Sequence, residues 1–435
     1  MRKTCLLIPA CFILAMASMS AQTRANGFYK DLFIDSGPSM SNHEYLAAAR
    51  VLNLSTEVNL SYNSAQNATP FELARMQECF VGTDQDENGL LLYPDGAPRF
   101  RLLYVPGGTA NRHGECITEE GRAHIREFFR NGGSYSSSCA GTILCSKGYY
   151  YKDRDGKPVD REMYIGVWPG YTTGTRLFDS WTTLTVDKKS PLLDYYDFGG
   201  DMRVDSVRHN NGSYFNDYMA PEGTESLLRF KADTIQGLLY GSIDGQTTVL
   251  GYKPDAKSGR MVSTGSHPEI AQTGEVLQLF TAMLHYALDG NGAPQVKAAL
   301  TSGEAREMTA STRDGKPEYT MLGDKQYHHF TIDVPKGAKE VAVELKSVKG
   351  RSNYDLFLYA APGQFAFNDV ARWFDVSDGI DKVMVIRNPK PGKLYISVFC
   401  DTTVDAVSGR YGTQYSGRTD VLNGVPYIIK ATVTK

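Results

Sequence analysis

Several features that would assign the chain to other classes of protein are missing from its sequence. The charges nearly balance, with 46 Lys and Arg against 49 Asp and Glu and a formal net charge of −3. This balance excludes the strongly basic surface on which nucleic acids and anionic membranes bind. After residue 21 no apolar stretch is long enough to span a bilayer. We therefore expect a soluble protein with no nucleic-acid partner and no stable membrane span.

The first 21 residues have the pattern of a secretory signal peptide. Arg2 and Lys3 give a positive start, residues 5–16 are largely apolar, and small residues follow up to Ala21. The apolar run is too short to cross a bilayer stably. We expect cleavage before Gln22 and an exported protein, either periplasmic or secreted.

Cysteine is scarce, and its spacing matches no metal-binding pattern. Two of the seven cysteines lie in the predicted signal peptide, which leaves an odd number in the mature chain. An oxidising compartment favours pairing, with Cys79 and Cys116 as one candidate pair, and at least one thiol must stay free. We therefore expect no metal site from cysteine and no cofactor. The remaining cysteines are Cys79, Cys116, Cys139, Cys145 and Cys400.

One acidic segment has the spacing of a calcium-binding loop. Its oxygen donors are Asp84, Asp86, Asn88 and Asp95, with Gly89 at the sharp turn. Prolines after the segment disfavour the second helix of such a motif. An acidic surface turn is the alternative, and the sequence leaves both interpretations open.

The order of predicted elements divides the chain after residue 21 into two folded regions. Residues 22–294 begin with alternating strands and helices, which predicts a mainly parallel sheet with helices on both faces. Residues 295–316 are polar and follow a break rich in Gly, so we expect a linker there. Residues 317–435 contain short alternating apolar runs separated by turns, typical of an antiparallel β-sandwich.

Two short motifs in the first region supply the parts of a catalytic triad. Cys139 lies between a predicted strand and a predicted helix, where the helix dipole favours a thiolate. His267 and Glu269 are separated only by Pro268, which favours extended backbone at residue 267. In an extended segment both side chains would point to the same side, so Glu269 would orient the His267 ring. The alternatives are a buried structural cysteine and a surface turn.

A third motif, Gly107 and Gly108 after Pro106, follows another predicted strand. Glycines at the carboxyl end of a strand let backbone N–H groups face a site. Together with the N–H of Ala140 they would form an oxyanion hole. A plain tight turn is the alternative, but all three motifs fall at strand ends, where open α/β sheets place their sites.

Residues 28–288 resemble the class I glutamine amidotransferase-like superfamily, and within it the biotin-protein-ligase N-terminal-like group. The matching segments are residues 105–108, 128–141, 208–214 and 259–269, which include the Gly-Ser-His-Pro-Glu ending. The resemblance implies a flavodoxin-like, glutaminase-type fold and a triad of Cys139, His267 and Glu269. Ser137 stands where the nucleophile motif of the superfamily has Gly. The sandwich resembles the pre-peptidase C-terminal domain, in residues 352–359 and 390–398.

The motifs and the resemblance together lead us to expect an exported cysteine-dependent amide hydrolase, of peptidase or amidase type. Its substrate would be a small-molecule or peptide amide. One alternative is a catalytically silent ligand-binding protein of the same fold, which Ser137 would suit. Another is an ammonia-releasing glutaminase, although the chain has no nucleotide-binding loop of a synthase that would use ammonia. The sequence leaves the oligomeric state open.

Overall fold

The computed structural model describes residues 27–41, 46–60, 70–83, 86–151, 156–231, 243–350, 353–409 and 412–435. The predicted signal peptide lies outside these residues. The described residues of the first region contain the helices α1 Leu46–Val51, α2 Pro70–Val81, α3 Ala110–Arg130, α4 Ala140–Cys145 and α5 Gly274–Leu288.

The strands of the first region build a largely parallel core extended by antiparallel strands. They are β1 Lys30–Ser36, β2 Thr56–Leu60, β3 Phe100–Val105, β4 Ser134–Ser138, β5 Ser146–Tyr150, β6 Pro158–Asp160, β7 Trp168–Gly174, β8 Ser180–Val186, β9 Arg203–His209, β10 Ser213–Phe215, β11 Thr224–Lys231, β12 Thr247–Tyr252 and β13 Met261–Thr264.

The parallel core has the order β2-β1-β3-β4-β13, and β12 continues the sheet in the antiparallel direction. All six residues of β3 are buried because helices cover both faces of the sheet. Leu102 packs toward Phe280 of α5, whereas Leu103 packs toward Phe128 of α3. This alternation places the apolar core on both sides of β3. The prediction of an α/β sheet with flanking helices is confirmed.

Helix α3 has a sharp kink near its middle. Thr118 has non-helical backbone angles, with φ 72° and ψ 168°. Its hydroxyl accepts a hydrogen bond from the N–H of Gly121 at 3.3 Å, as an N-cap residue does. Thr118 therefore starts the long second part of the helix, which ends near Gly132.

The second region is a sandwich of two sheets with the orders β14-β16-β21-β18-β19 and β15-β24-β17-β20. All pairings in the two sheets are antiparallel except β14 with β16. The prediction of an antiparallel sandwich after the α/β region is thus confirmed. The strands of this region are β14 Val296–Ala299, β15 Ala305–Met308, β16 Tyr327–Val334, β17 Glu340–Ser347, β18 Leu356–Pro362, β19 Trp373–Asp375, β20 Lys382–Arg387, β21 Gly392–Cys400, β22 Val404–Gly409, β23 Gly412–Gly417 and β24 Tyr427–Thr434.

Two features of the division into regions differ from the expectation. The segment 295–316, which we expected to be a linker, contributes β14 to one sandwich sheet and β15 to the other. The hairpin of β22 and β23 leaves the sandwich and pairs with β2, so it extends the α/β sheet at its far edge. The two regions therefore share a continuous hydrogen-bonded sheet.

The expected pairing of Cys79 with Cys116 is also absent. None of the five cysteines in the described part of the chain forms a disulfide. The sulfur of Cys79 is buried and lies 3.1 Å from Nδ2 of Asn59, while Cys116 is half-buried.

Candidate active site

Cys139 lies at the sharp turn between β4 and α4. Its backbone angles are φ 48° and ψ −112°, a combination that residues other than glycine seldom adopt. The turn is tight because Gly141 packs directly on the end of β3, where an added Cβ would lie 2.2 Å from the carbonyl oxygen of Val105. Strained backbone of this kind is typical of a nucleophile elbow.

Ser137 does not prevent this geometry, although it replaces the glycine of the superfamily motif. Its side chain is fully buried between β4 and β13. The hydroxyl lies 2.8 Å from the hydroxyl of Ser263 and 3.1 Å from that of Thr142. These two hydroxyl partners accommodate the serine, and Cys139 still takes the positive φ angle.

His267 follows β13, whose carboxyl end lies beside that of β4. Its backbone N–H donates to the carbonyl oxygen of Arg208 at 2.8 Å. Its ring Nδ1 lies 2.8 Å from Oε1 of Glu269, which is completely buried. Pro268 begins a short 3-10 turn, so the pair meets across this turn and not along the extended segment that we expected.

The side chains of His267 and Cys139 meet over Gly107. A Cβ at Gly107 would lie 2.7 Å from Cε1 of His267 and 3.2 Å from Cβ of Cys139. Only a glycine leaves room for both side chains there. Burial alone would lower the pKa of His267, but hydrogen bonds to Cys139 and Glu269 outweigh it and raise the pKa to about 10. The charged imidazolium is therefore the favoured form beside the sulfur.

The predicted oxyanion donors lie at two neighbouring strand ends. Ala140 is the first residue of α4, so its N–H has no acceptor within the helix. Gly108 forms an antiparallel bridge with Met40, flanked by hydrogen bonds from Ser41 to Gly107 and from Thr109 to Ser39. The bridge fixes the backbone of Gly107 and Gly108 beside the turn.

A buried pair supports the loop that forms this bridge. Nε2 of His113 lies 2.6 Å from Oδ2 of Asp35, and neither side chain is exposed to solvent. Oδ1 of Asp35 accepts from the N–H of Gly37 at 3.1 Å. The carboxylate thus holds the loop after β1 against the start of α3.

His209 is a site residue that the individual motifs did not single out. It lies within the segment 208–214 that carried part of the family resemblance, and this was its only signal in the sequence. The ring is fully buried, with Nε2 2.7 Å from the hydroxyl of Thr175 and Nδ1 3.1 Å from that of Ser266. Burial, and next the charge of His267, lower the pKa of His209 to about 3. A neutral ring therefore packs beside the charged one.

The segment that carries His209 also covers the sulfur. The thiol of Cys139 lies 3.6 Å from the carbonyl oxygen of Asn210, and only 7% of Cys139 is exposed. The close approach of Gly212 to Gly265 fixes this cover, because a Cβ at Gly212 would lie 1.8 Å from the carbonyl oxygen of Gly265. Access to the sulfur is narrow.

The acidic segment does not form a calcium loop in its described residues. Nδ2 of Asn88 donates to the carbonyl oxygen of Tyr93 at 2.6 Å, and Asp95 pairs with Lys297 at 2.7 Å. Asp86 is buried, which raises its pKa to about 7 against the opposing charge of Arg99. Asp84 lies outside the described residues. No group of three or more His, Cys, Asp or Glu in the described ranges is placed to hold a metal ion.

The family described as biotin-protein ligase, N terminal, matches residues 96–287. The α/β region is therefore similar to that family. The match confirms the resemblance of this region to the glutamine amidotransferase-like superfamily, and it covers less than half of the chain. No curated protein matches.

Three of the solved structures that match the chain have the following identity and coverage. A crystal structure of a glutamine amidotransferase covers 58% of this chain and 98% of its own, at 13% identity and a TM-score of 0.34. The pre-peptidase C-terminal domain of a Bacillus anthracis collagenase covers 32% and 100%, at 11% identity and a TM-score of 0.18. A periplasmic inhibitor of g-type lysozyme from Aeromonas hydrophila covers 33% and 100%, at 14% identity and a TM-score of 0.20.

Within the residues that the structure describes, no helix is both long enough and apolar enough to cross a membrane.

Proposed function

We propose that the protein is an exported cysteine-dependent amide hydrolase that uses Cys139, His267 and Glu269. The observation that carries the proposal is the meeting of the three side chains. Nδ1 of His267 lies 2.8 Å from Oε1 of Glu269, the ring and the side chain of Cys139 meet over Gly107, and Cys139 has the backbone strain of a nucleophile elbow. This is the arrangement of nucleophile, base and orienting carboxylate that acyl transfer needs.

The reaction would proceed in two halves. His267 already holds the proton of Cys139 as an imidazolium, and the thiolate attacks the carbonyl carbon of the amide. The N–H groups of Gly108 and Ala140 hold the oxyanion of the tetrahedral intermediate. His267 then protonates the leaving amine as the C–N bond breaks, which leaves a thioester. Water, deprotonated by His267, attacks the thioester and releases a carboxylic acid and the free thiol.

Export is part of the proposal because of the basic and apolar pattern of residues 1–21. The sequence shows no nucleotide-binding loop of a synthase that would use ammonia released by the site. A small-molecule or peptide amide outside the cytoplasm therefore suits the site better than glutamine as an ammonia source.

The test uses the full chain without its first 21 residues and a panel of amides. The panel contains glutamine, a γ-glutamyl anilide, dipeptides and amides of amino sugars, with release of amine as the signal. We expect turnover of at least one member other than glutamine, and its loss in Cys139→Ala. Cys145→Ala is the matched control, because this thiol is fully buried and burial raises its pKa to about 12. Equal turnover in both variants would refute the proposal.

The second candidate is a ligand-binding protein that keeps the fold without turnover. The observation that favours it is the cover over the sulfur by the carbonyl of Asn210. Alkylation separates the two candidates. A primed thiol reacts with iodoacetamide below pH 8 and more slowly in His267→Ala, whereas a walled-off thiol reacts in neither protein.

A further inference from the structure

Apart from the candidate active site, a cavity lies between the α/β region and the sandwich. Its volume is about 310 Å³, which is the size of a small-ligand site. The α/β side contributes Tyr93 and Asp95, and the sandwich contributes Lys297, Gln326 and the start of β16. Neither Cys139 nor His267 lines this space, which we call the interface cavity.

Two residues that line the interface cavity, Lys297 and Asp95, form an ion pair with each other. Nζ of Lys297 lies 2.7 Å from Oδ2 of Asp95 and 2.9 Å from the hydroxyl of Thr320. Nε2 of Gln326 donates to Oδ1 of Asp95 at 2.8 Å. The carboxylate of Asp95 is therefore satisfied by protein donors, and Lys297 and Asp95 neutralise each other.

His328 leaves one ring nitrogen of this wall without a partner. Its side chain is 1% exposed, and Nδ1 lies 2.9 Å from the hydroxyl of Tyr427. Nε2 has no hydrogen-bond partner among the described residues, and the nearest carboxylate oxygen, of Asp95, is 3.8 Å away. Burial, and next the charge of Lys297, lower the pKa of His328 well below its usual value. The free nitrogen is thus a neutral polar atom, which costs free energy unless something pairs with it.

Tyr93 adds a second such atom. It lines the same cavity and is 1% exposed, and its hydroxyl has no partner within the described ranges. A hydroxyl both donates and accepts, as does a neutral imidazole nitrogen according to its tautomer. Two unpaired neutral groups call for a ligand that carries hydroxyl groups.

Aromatic rings supply the apolar part of the wall. Tyr327 and Phe367 both line the cavity, and their rings meet edge to face with centroids 5.1 Å apart. An aromatic wall beside neutral hydrogen-bonding groups suits the C–H face and the hydroxyl groups of a sugar ring.

We propose that the interface cavity binds a sugar ring, either free or at the end of a glycan. The ring would lie against the aromatic side chains, and its hydroxyl groups would pair with Nε2 of His328 and the hydroxyl of Tyr93. The side-chain amide of Gln326 and the third N–H of Lys297 would complete the polar contacts. This site does not depend on the proposed hydrolase activity.

The test is calorimetric titration of the full chain, lacking residues 1–21, with glucose, galactose, N-acetylglucosamine and a β1,4-linked disaccharide of the last. Amino acids and dipeptides form a comparison set. We expect one sugar to bind at millimolar concentration or better. A disaccharide that binds more tightly than its monosaccharide indicates the end of a glycan, whereas equal affinity indicates a single ring.

Two variants locate the binding. Tyr93→Phe removes only a hydroxyl without a protein partner, so the fold is kept, and sugar affinity should fall about 5- to 10-fold. His328→Leu should have a similar effect. Tyr195→Phe is the control, because its hydroxyl bonds to Asp289 outside the cavity, and it should leave affinity unchanged. Absence of sugar binding, binding of only amino acids or dipeptides, or unchanged affinity in both cavity variants would each overturn the proposal.

Discussion

Arg99 and Asp324 form a completely buried ion pair across the interface between the α/β region and the sandwich. Nη2 of Arg99 lies 3.1 Å from Oδ1 and 3.3 Å from Oδ2 of Asp324, and both side chains are at most 2% exposed. The hydroxyl of Thr403 donates to Oδ2 at 3.2 Å, and Nη1 of Arg99 donates to the carbonyl of Leu90 at 3.0 Å. The two regions are thus joined by a buried polar network as well as by the hairpin of β22 and β23.

We expect Arg99→Met to destabilise the whole protein, because it leaves the carboxylate of Asp324 buried without its partner. The cost should be about 3–5 kcal/mol in the free energy of unfolding. The double variant Arg99→Met with Asp324→Leu removes both charges and should recover much of this loss. Urea denaturation followed by tryptophan fluorescence measures both. A double variant no more stable than the single one would show that the charge pair is not the source of the effect.

The parts of the site that could be predicted from sequence are those set by local rules. Buried apolar strands such as Phe100–Val105, followed by glycines and helix signals, indicate parallel strands with a site at their carboxyl ends. Cys139 at such a turn and the pair of His267 and Glu269 follow from this pattern. Their mutual distance does not, since it depends on β13 lying beside β4.

The interface could not be predicted, because its contacts join residues far apart in the chain. Arg99 and Asp324 are separated by 225 positions. Residues 412–417 are mostly small or polar, and nothing local predicts that they pair with β2. Residues 296–299 look like linker because they stand at the start of a polar segment, and only pairing with β16 makes them a strand. Long-range pairing overrides local propensity at these positions.

Gly107 tests the geometry of the site without removing any functional group. An added methyl group would lie 2.7 Å from Cε1 of His267, so Gly107→Ala should displace the ring from Cys139. We expect alkylation of Cys139 by iodoacetamide at pH 7 to slow by about 10-fold, because the sulfur loses its charged neighbour. Gly251→Ala is the matched control, because its Cβ would meet neighbours at 3.4–3.5 Å, an ordinary contact. Equal alkylation rates in the two variants would contradict the packing of His267 over Gly107.

Glu269→Gln keeps the shape of the orienting residue and removes its charge. The pKa of His267 should fall from about 10 toward its ordinary 6.5, because one of the bonds that raise it is weakened. Alkylation of Cys139 at pH 7 should slow by about 3- to 10-fold. Oε2 of Glu269 has no partner among the described residues, so an amide N–H₂ placed there would also be unsatisfied, at a cost of about 1–3 kcal/mol.

The control for this variant is Glu222→Gln, an exposed carboxylate remote from the site in sequence, which should change neither quantity. Titration of the His267 ring by NMR gives the pKa directly. A midpoint that stays near 10 in Glu269→Gln would mean that Glu269 does not set the charge of the imidazole.

His209 makes the fold sensitive to acid, with a sign opposite to that of His267. The folded pKa of His209 is about 3, below the unfolded 6.5, so the unfolded chain binds the proton first and stability is lost as pH falls from 6.5 toward 3. Between pH 7 and pH 5 this one group should cost about 2 kcal/mol. The pKa of His267 is raised, so its contribution is complete below pH 6.5 and is lost as pH rises toward 10.

His209→Gln removes the titrating group and keeps a polar side chain between Thr175 and Ser266. The loss in the free energy of unfolding between pH 7 and pH 5 should therefore be smaller by about 2 kcal/mol in this variant. Its stability near pH 8 serves as the reference, since His209 is neutral there in both folded and unfolded chains. Urea midpoints measured at half-unit steps from pH 5 to pH 8 for the two proteins give the comparison. Parallel curves would show that folding does not lower the pKa of His209. The ring would then be charged at pH 5, and it would repel the imidazolium of His267 and weaken its pairing with the sulfur.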